Sequence, residues 1–251
     1  HNEPTDFLDL ESNVLQAKLY TEPVEGLTLD AGIRYMDGTE RQKYHEPSGL
    51  FDSDGDGVID SSRRQFRDQY RRNEGVSFGT NAVWSRQFGV IDNRVLLGAD
   101  WYRNDAYFTG VSISGGTTAT SGLPTPLSLL DPVYGNTDPS TYIYPATRVT
   151  ETVQTRYGFY ALNEATIGPV IAVVGVRQDT FEDKDRVGGT TFEDDATTWR
   201  AGLVYRIRDD VSLFGQWATS FEPQSVGAQS PLAGGPFEPT EGEIVEGGVK
   251  T

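Results

Sequence analysis

The sequence predicts an all-β protein: an antiparallel up-and-down meander of about nine strands that forms part of a transmembrane β-barrel. Three observations predict it. Apolar and polar residues alternate with period two along almost the whole chain, and helix-period stripes are absent. The connections between strands alternate between short and long. The longest near-apolar run, Val170 to Val176, is seven residues, against the roughly 18 a spanning helix needs, whereas a membrane strand needs only about 9–11 residues with alternating polarity.

The strands follow in order. Leu27, Leu29, Ala31, Ile33 and Tyr35 share one face, with Thr28, Asp30, Gly32, Arg34 and Met36 on the other. Val76, Phe78, Thr80, Ala82 and Trp84 stand against Ser77, Gly79, Asn81 and Ser85, and Val95, Leu97, Ala99 and Trp101 against Gly98, Asp100, Tyr102 and Asn104. Tyr157, Phe159 and Ala161 oppose Arg156, Gly158 and Tyr160; Ala201, Leu203, Tyr205 and Ile207 oppose Arg200, Gly202 and Arg206. A last strand is expected over Glu243–Thr251. Short connections fall at Thr21–Gly26, Phe88–Asn93, Ile167–Pro169 and Arg208–Asp210. Long ones, rich in Gly, Pro, Ser, Thr and Asp, fall at Asp37–Ser62, Thr109–Val149, Lys184–Asp195 and Glu222–Glu241. A soluble sandwich has no reason to keep its long loops at one end, whereas an outer-membrane barrel has short periplasmic turns and long extracellular loops.

Composition narrows the function classes. Of 251 residues, 37 are Asp or Glu and 21 Lys or Arg, a net charge of −16 that disfavours nucleic acid as a partner. With no Cys, disulfides, thiolate metal sites and Cys nucleophiles are excluded. The two histidines, His1 and His45, lack metal-ligand spacing; the first is expected to be a frayed terminus and the second a loop residue. No triad can be assembled. The Gly110–Gly116 and Gly188–Gly189 stretches lack the strand-to-helix context of a phosphate loop. The Glu193–Asp195 carboxylates are expected to face solvent from a loop, not to form a glycosidase pair. No enzyme is expected.

The segment Asp52–Asp60 (DSDGDGVID) places carboxylates of Asp52, Asp54, Asp56 and Asp60 at positions 1, 3, 5 and 9 of a calcium-type loop, with Gly57 at the turn and the Val58 carbonyl available. Arg63 stands where a bidentate Glu would close the shell, and no flanking helices are expected, so this is not an EF-hand. The reading of a helix-free Ca2+ loop that stiffens Asp37–Ser62 competes with that of a solvated acidic turn. No cofactor is otherwise required.

Parity places Lys18, Asp30, Arg34, Asp100, Tyr102, Arg156, Tyr160, Arg177, Arg200 and Arg206 on the inward face, because Arg or Lys at the lipid midplane costs about 2–4 kcal/mol.

Near the C-terminus, Val211–Gln224 (VSLFGQWATSFEPQ) leads through Pro236–Gly242 (PFEPTEG) to Glu246–Lys250 (EGGVK). The strand end at Ser220–Pro223, the loop closing at Pro236–Gly242 and the strand near Glu246–Lys250 together resemble the late barrel of TonB-dependent siderophore receptors. Arg94–Tyr102 resembles a mid-barrel strand of that family and Arg156–Tyr160 the start of a later one. The resemblance implies a bacterial outer-membrane location and uptake of a ferric siderophore, driven by TonB acting on a plug domain inside the barrel. It also implies contact with lipid and lipopolysaccharide. Neither a plug nor a TonB box is recognisable in these residues, transporters of this class close about 22 strands, and Thr251 stands where such barrels usually end on an aromatic. The chain is therefore expected to be an internal barrel segment, 1–251, lacking plug and closing strands, with two unpaired sheet edges. In the family, aromatic and polar side chains of the extracellular loops and upper lumen hold the siderophore. This implies Tyr107, Phe108, Tyr134, Tyr142 and Tyr144, with Tyr102 on the inward face, as substrate-binding candidates. Two other readings stay open: a passive porin-like channel, and a soluble or surface calcium-stabilised β-sheet binding module.

Overall fold

The computed structural model describes residues 3–224, 234–235 and 237–251. The expectation for His1, and the Pro236 end of the loop motif, lie outside the described residues. The chain forms β1 (Phe7–Val24), β2 (Leu27–Phe51), β3 (Ser61–Phe88), β4 (Ile91–Ser114), the two-residue β5 (Leu127–Ser128), a 3-10 turn at Pro139–Thr141, β6 (Arg148–Ile167), β7 (Val170–Asp185), β8 (Thr190–Arg208), β9 (Val211–Glu222) and β10 (Thr240–Lys250). The strands build one sheet in the order β1-β2-β3-β4-β6-β7-β8-β9-β10, and β5 pairs with β3 off this path. Among the described residues, nine long strands and one short one make the expected meander, whose ends, β1 and β10, are not paired with each other. No helix among the described residues is long and apolar enough to cross a membrane.

The four short turns lie where expected, with glycine where the backbone demands it. Gly26 has φ +77°, and a Cβ there would meet the Ser85 carbonyl oxygen at 2.4 Å. The long connections are a correction. Asp37–Ser62 and Lys184–Asp195 are mostly strand, since β2 runs on to Phe51, β3 starts at Ser61, β7 runs to Asp185 and β8 starts at Thr190. The backbone ladder continues where apolar alternation stops, because charged cross-strand pairs can hold a strand pair whose faces both meet water.

The chain divides into two compact units. The first comprises 1–13, 37–74 and 106–151, and the second 14–36, 75–105 and 152–251. In the first, Phe66, Ile113 and Tyr142 form a small buried cluster with Leu123 packed against it. Cross-strand ion pairs flank it: Lys43–Asp68 at 2.9 Å, Arg71–Glu40 at 3.2 Å, Arg72–Asp37 at 2.9 Å, and Arg67–Glu46.

The second unit is a sheet with two unlike faces. The antiparallel registers pair Phe159 with Gln178, Ala161 with Val176, Val174 with Ala201, Leu203 with Gly215, and Trp217 with Val245, placing these on one face. Its apolar members lie open: Phe159 is 63% exposed, Val174 56%, Leu203 53% and Val245 74%. An uncovered apolar surface of this extent needs a non-aqueous neighbour. The other face carries Tyr160 paired with Arg177, and Gly175 paired with Arg200.

Candidate functional site

On the polar face of the second unit, long side chains lie across neighbouring strands. The Arg177 guanidinium donates to both Asp100 carboxylate oxygens (Nη1 at 2.7 Å, Nη2 at 3.0 Å) and to both oxygens of Asp179 (Nε at 2.7 Å, Nη2 at 2.6 Å). It sits 5.2 Å from the Tyr160 ring centroid. Tyr160 reaches across β4 to β3, where its hydroxyl donates to Asn81 Oδ1 at 2.6 Å, and Asn81 Nδ2 donates to Asp30 Oδ1 at 3.0 Å. Glycines make the crossings possible. A Cβ on Gly158 would lie 2.0 Å from Arg177 Nη2, and one on Gly98 would lie 2.2 Å from the Tyr160 ring. Of the residues assigned inward by parity, the structure thus gathers Asp30, Asp100, Tyr160 and Arg177 into one chain of contacts. A bidentate guanidinium shared by two carboxylates is a strong, geometrically fixed element, suited to holding a wall rigid.

The first unit holds a second, buried network that sequence reasoning missed. His45 is a correction: it lies in β2, not in a loop, and is buried. Its Nδ1 is 2.8 Å from Asp6 Oδ1 and its Nε2 is 2.8 Å from the Tyr142 hydroxyl, which also bonds Thr137. Beside it, Arg64 and Glu3 form an ion pair with both side chains fully buried. Arg64 Nε donates to the Thr125 carbonyl at 2.6 Å and Nη2 to Asn136 Oδ1 at 3.3 Å, while Glu3 Oε2 accepts from the Gly135 amide. Both networks pin the 115–147 connection, and β5 adds a backbone rung at Ser61–Ser62. No local pattern marks it, because Glu3, His45, Arg64 and Tyr142 lie far apart in the sequence.

The structure disperses the aromatic candidates. Tyr142 is buried in the cluster, where burial pushes its hydroxyl pKa up. Tyr134 and Tyr144 are exposed on the same connection. Tyr107 lies 6.2 Å from Tyr70 with the rings tilted at 59°, and Phe108 lies under Arg71 at 5.5 Å. Tyr102 is half-buried in the second unit, with Arg156 the nearby charge.

In the acidic loop, one carboxylate oxygen from each of Asp52, Asp54 and Asp56 lies within 4.8 Å of the others. Asp60 turns instead to Ser53, accepting from its amide at 2.9 Å and its hydroxyl at 2.7 Å. The amides of Gly57 and Gly55 hold the Asp52 carboxyl below the usual carboxylate range, and Ser53 does the same for Asp60. Val58 donates its amide to Asp56 Oδ1 at 2.7 Å. Three carboxylate oxygens thus lie together in the loop, while Asp60 is taken up by Ser53.

The family model described as TonB dependent receptor-like, beta-barrel matches residues 5–251. The chain belongs to this family. Its place as a TonB-dependent receptor barrel is the bacterial outer membrane, and the family consists of transporters and receptors, not enzymes. A stretch of 101 residues is 34% identical to the ferrichrome outer membrane transporter/phage receptor of Escherichia coli strain K12, covering 39% of this chain and 13% of that protein. Among solved structures, BauA, the ferric preacinetobactin receptor from Acinetobacter baumannii, has a TM-score of 0.78 at 13% identity, covering 98% of this chain and 36% of that one. The siderophore receptor PiuA from Acinetobacter baumannii has a TM-score of 0.75 at 17% identity, covering 98% and 38%. The matched receptors are thus far longer than this barrel chain.

Proposed function

We propose that this barrel chain forms part of the wall of an outer-membrane receptor that imports a ferric siderophore in a TonB-dependent step, with TonB acting through a plug domain in the lumen. The carrying observation is the unlike pair of faces in the second unit. Open Phe159, Val174, Leu203 and Val245 suit acyl chains and lipopolysaccharide, while the cross-strand ladder Asp30–Asn81–Tyr160 and the Asp100–Arg177–Asp179 bridge suit a rigid, hydrated lumen wall. The names of the related proteins, a ferrichrome transporter and siderophore receptors, support the cargo class. No step of this function breaks a covalent bond. Exposure favours Tyr107, Tyr134 and Tyr144 as the substrate-touching aromatics, with Phe108 and Tyr102 half-buried, and gives Tyr142 a structural packing role. The test is radioiron uptake by cells carrying the intact protein. Uptake should cease on loss of TonB or of the proton gradient; uptake that persists, with open-channel conductance in planar bilayers, would mean a passive pore.

The convergence of Asp52, Asp54 and Asp56 supports a second reading, in which the loop takes Ca2+ and is stiffened by it. Calorimetry of the intact receptor should then show calcium binding that Asp54→Asn weakens; a silent titration sinks the idea.

A further inference from the structure

The chain as a whole is strongly acidic, with a net charge of −16, yet the first unit contains a cleft of about 450 Å³ lined by Arg67, Gln69, Arg71, Phe108, Gly110 and Arg148, with Val111 and two small polar residues beside them. No carboxylate lines it among the described residues. The three guanidinium groups are unequally engaged. Arg67 spends Nε on Glu46, and neither of its Nη groups has a hydrogen-bond partner among the described residues. Arg71 reaches Glu40 and Gln69 at its edges, and its guanidinium carbon lies over the Phe108 ring, 5.5 Å from the centroid. Arg148 makes no ion pair or hydrogen bond among the described residues. The floor is kept low by Gly110, where a Cβ would lie 3.0 Å from the Asp68 carbonyl oxygen and from Gln69 Cγ, and 3.1 Å from Phe108.

Open guanidinium forks match pairs of anionic oxygens, and the match gains strength where water is thinned out by a concave wall. A neutral ligand seated here would desolvate Arg148 and the Arg67 Nη groups without pairing them, which costs free energy. We propose that this cleft takes the oxygen-rich rim of a negatively charged ferric complex, one whose iron is wrapped by carboxylate or catecholate oxygens and not by neutral hydroxamates. The Phe108 ring and the Arg71 guanidinium over it add an aromatic and cationic surface beside the open donors. The inference rests on the uptake reading above and narrows its cargo.

The test is ligand binding to the intact receptor in detergent, read by tryptophan quenching, with three probes: ferric citrate, a trianionic ferric tris-catecholate and a neutral ferric tris-hydroxamate. At least one anionic complex should bind about tenfold or more tighter than the neutral one, and whichever of the two binds identifies the oxygen donor. Arg148→Gln and Arg67→Gln should each weaken that complex by about tenfold, while Arg148→Lys, which keeps the charge but loses the fork, should fall between Arg148→Gln and the unaltered receptor and controls for folding. Tight binding of the neutral complex, unchanged by either glutamine variant, overturns the cleft assignment and leaves the uptake reading standing. Binding of none of the three overturns both.

Discussion

The two units solve the same problem, holding a sheet together without a conventional core, in opposite ways. The first unit is stabilised by polar groups: a small aromatic cluster, the fully buried Arg64–Glu3 pair, the Asp6–His45–Tyr142–Thr137 chain, and cross-strand ion pairs. The second leaves its large apolar side chains open on one face and spends its polar contacts on the other, in the Arg177 and Tyr160 crossings. The difference teaches that solvent decides which groups a sheet must satisfy. Where both faces meet water, fixed polar pairs and a packed connection replace apolar burial. Where one face meets acyl chains, the backbone ladder and the lipid itself suffice, because no water is available to compete for backbone groups.

The sharpest way to break that contrast is to orphan a charge in the first unit. Arg64→Met leaves Glu3 buried without its partner, and its expected cost is about 3–5 kcal/mol. Hydrogen exchange of the intact receptor should show the 115–147 connection opening while the amides of β7 to β9 keep their protection. The double replacement Arg64→Met with Glu3→Leu should recover much of the loss, because a buried pair is worth little against apolar groups of similar size. Uniform protection in Arg64→Met would mean that the pair does not pin the connection.

Next in size is Val174→Arg, which puts a charge on the open apolar face within a few residues of the Gly168 turn. In vesicles its expected cost is about 2–4 kcal/mol by urea unfolding, if acyl chains cover that face at midplane depth. An unchanged midpoint would mean that water or protein covers Val174 and would sink the lipid reading.

The smallest effect belongs to the exposed ladder. Lys43→Ala removes one partner of a pair whose side chains are both about one-third exposed, so roughly 0–1 kcal/mol is expected, shrinking as salt is raised. A larger, salt-independent loss would show that the ladder is cooperative and does more than decorate the strands.

How much of this was legible beforehand differs by region. In the second unit, alternation correctly separates Leu203 and Tyr205 from Arg200 and Arg206, because lipid on one face imposes a period-two code on every residue. In the first unit the same code fades. Residues 37–51 read as loop because Arg41, Lys43 and Glu46 break the apolar pattern, yet they are strand held by ion pairs. His45 carries no visible spacing signal, since its partners Asp6 and Tyr142 lie 39 and 97 positions away. Tyr142 and Tyr144, two residues apart, would both serve a ligand-binding connection equally well on paper; only packing sends one into the cluster and leaves the other open. The Asp52–Asp60 spacing anticipated three converging carboxylates but not the diversion of Asp60 to Ser53.

The amino-acid sequence by itself determined the alternating stretches of strand, the two faces of the second unit and the short turns, because each is a local matter of side-chain parity and backbone freedom at residues such as Gly26. Which polar groups meet was decided only by the tertiary structure. Arg177 finds Asp100 77 residues away, and Tyr160 passes over Gly98 to Asn81, because strand order and register set those distances and no local pattern encodes them.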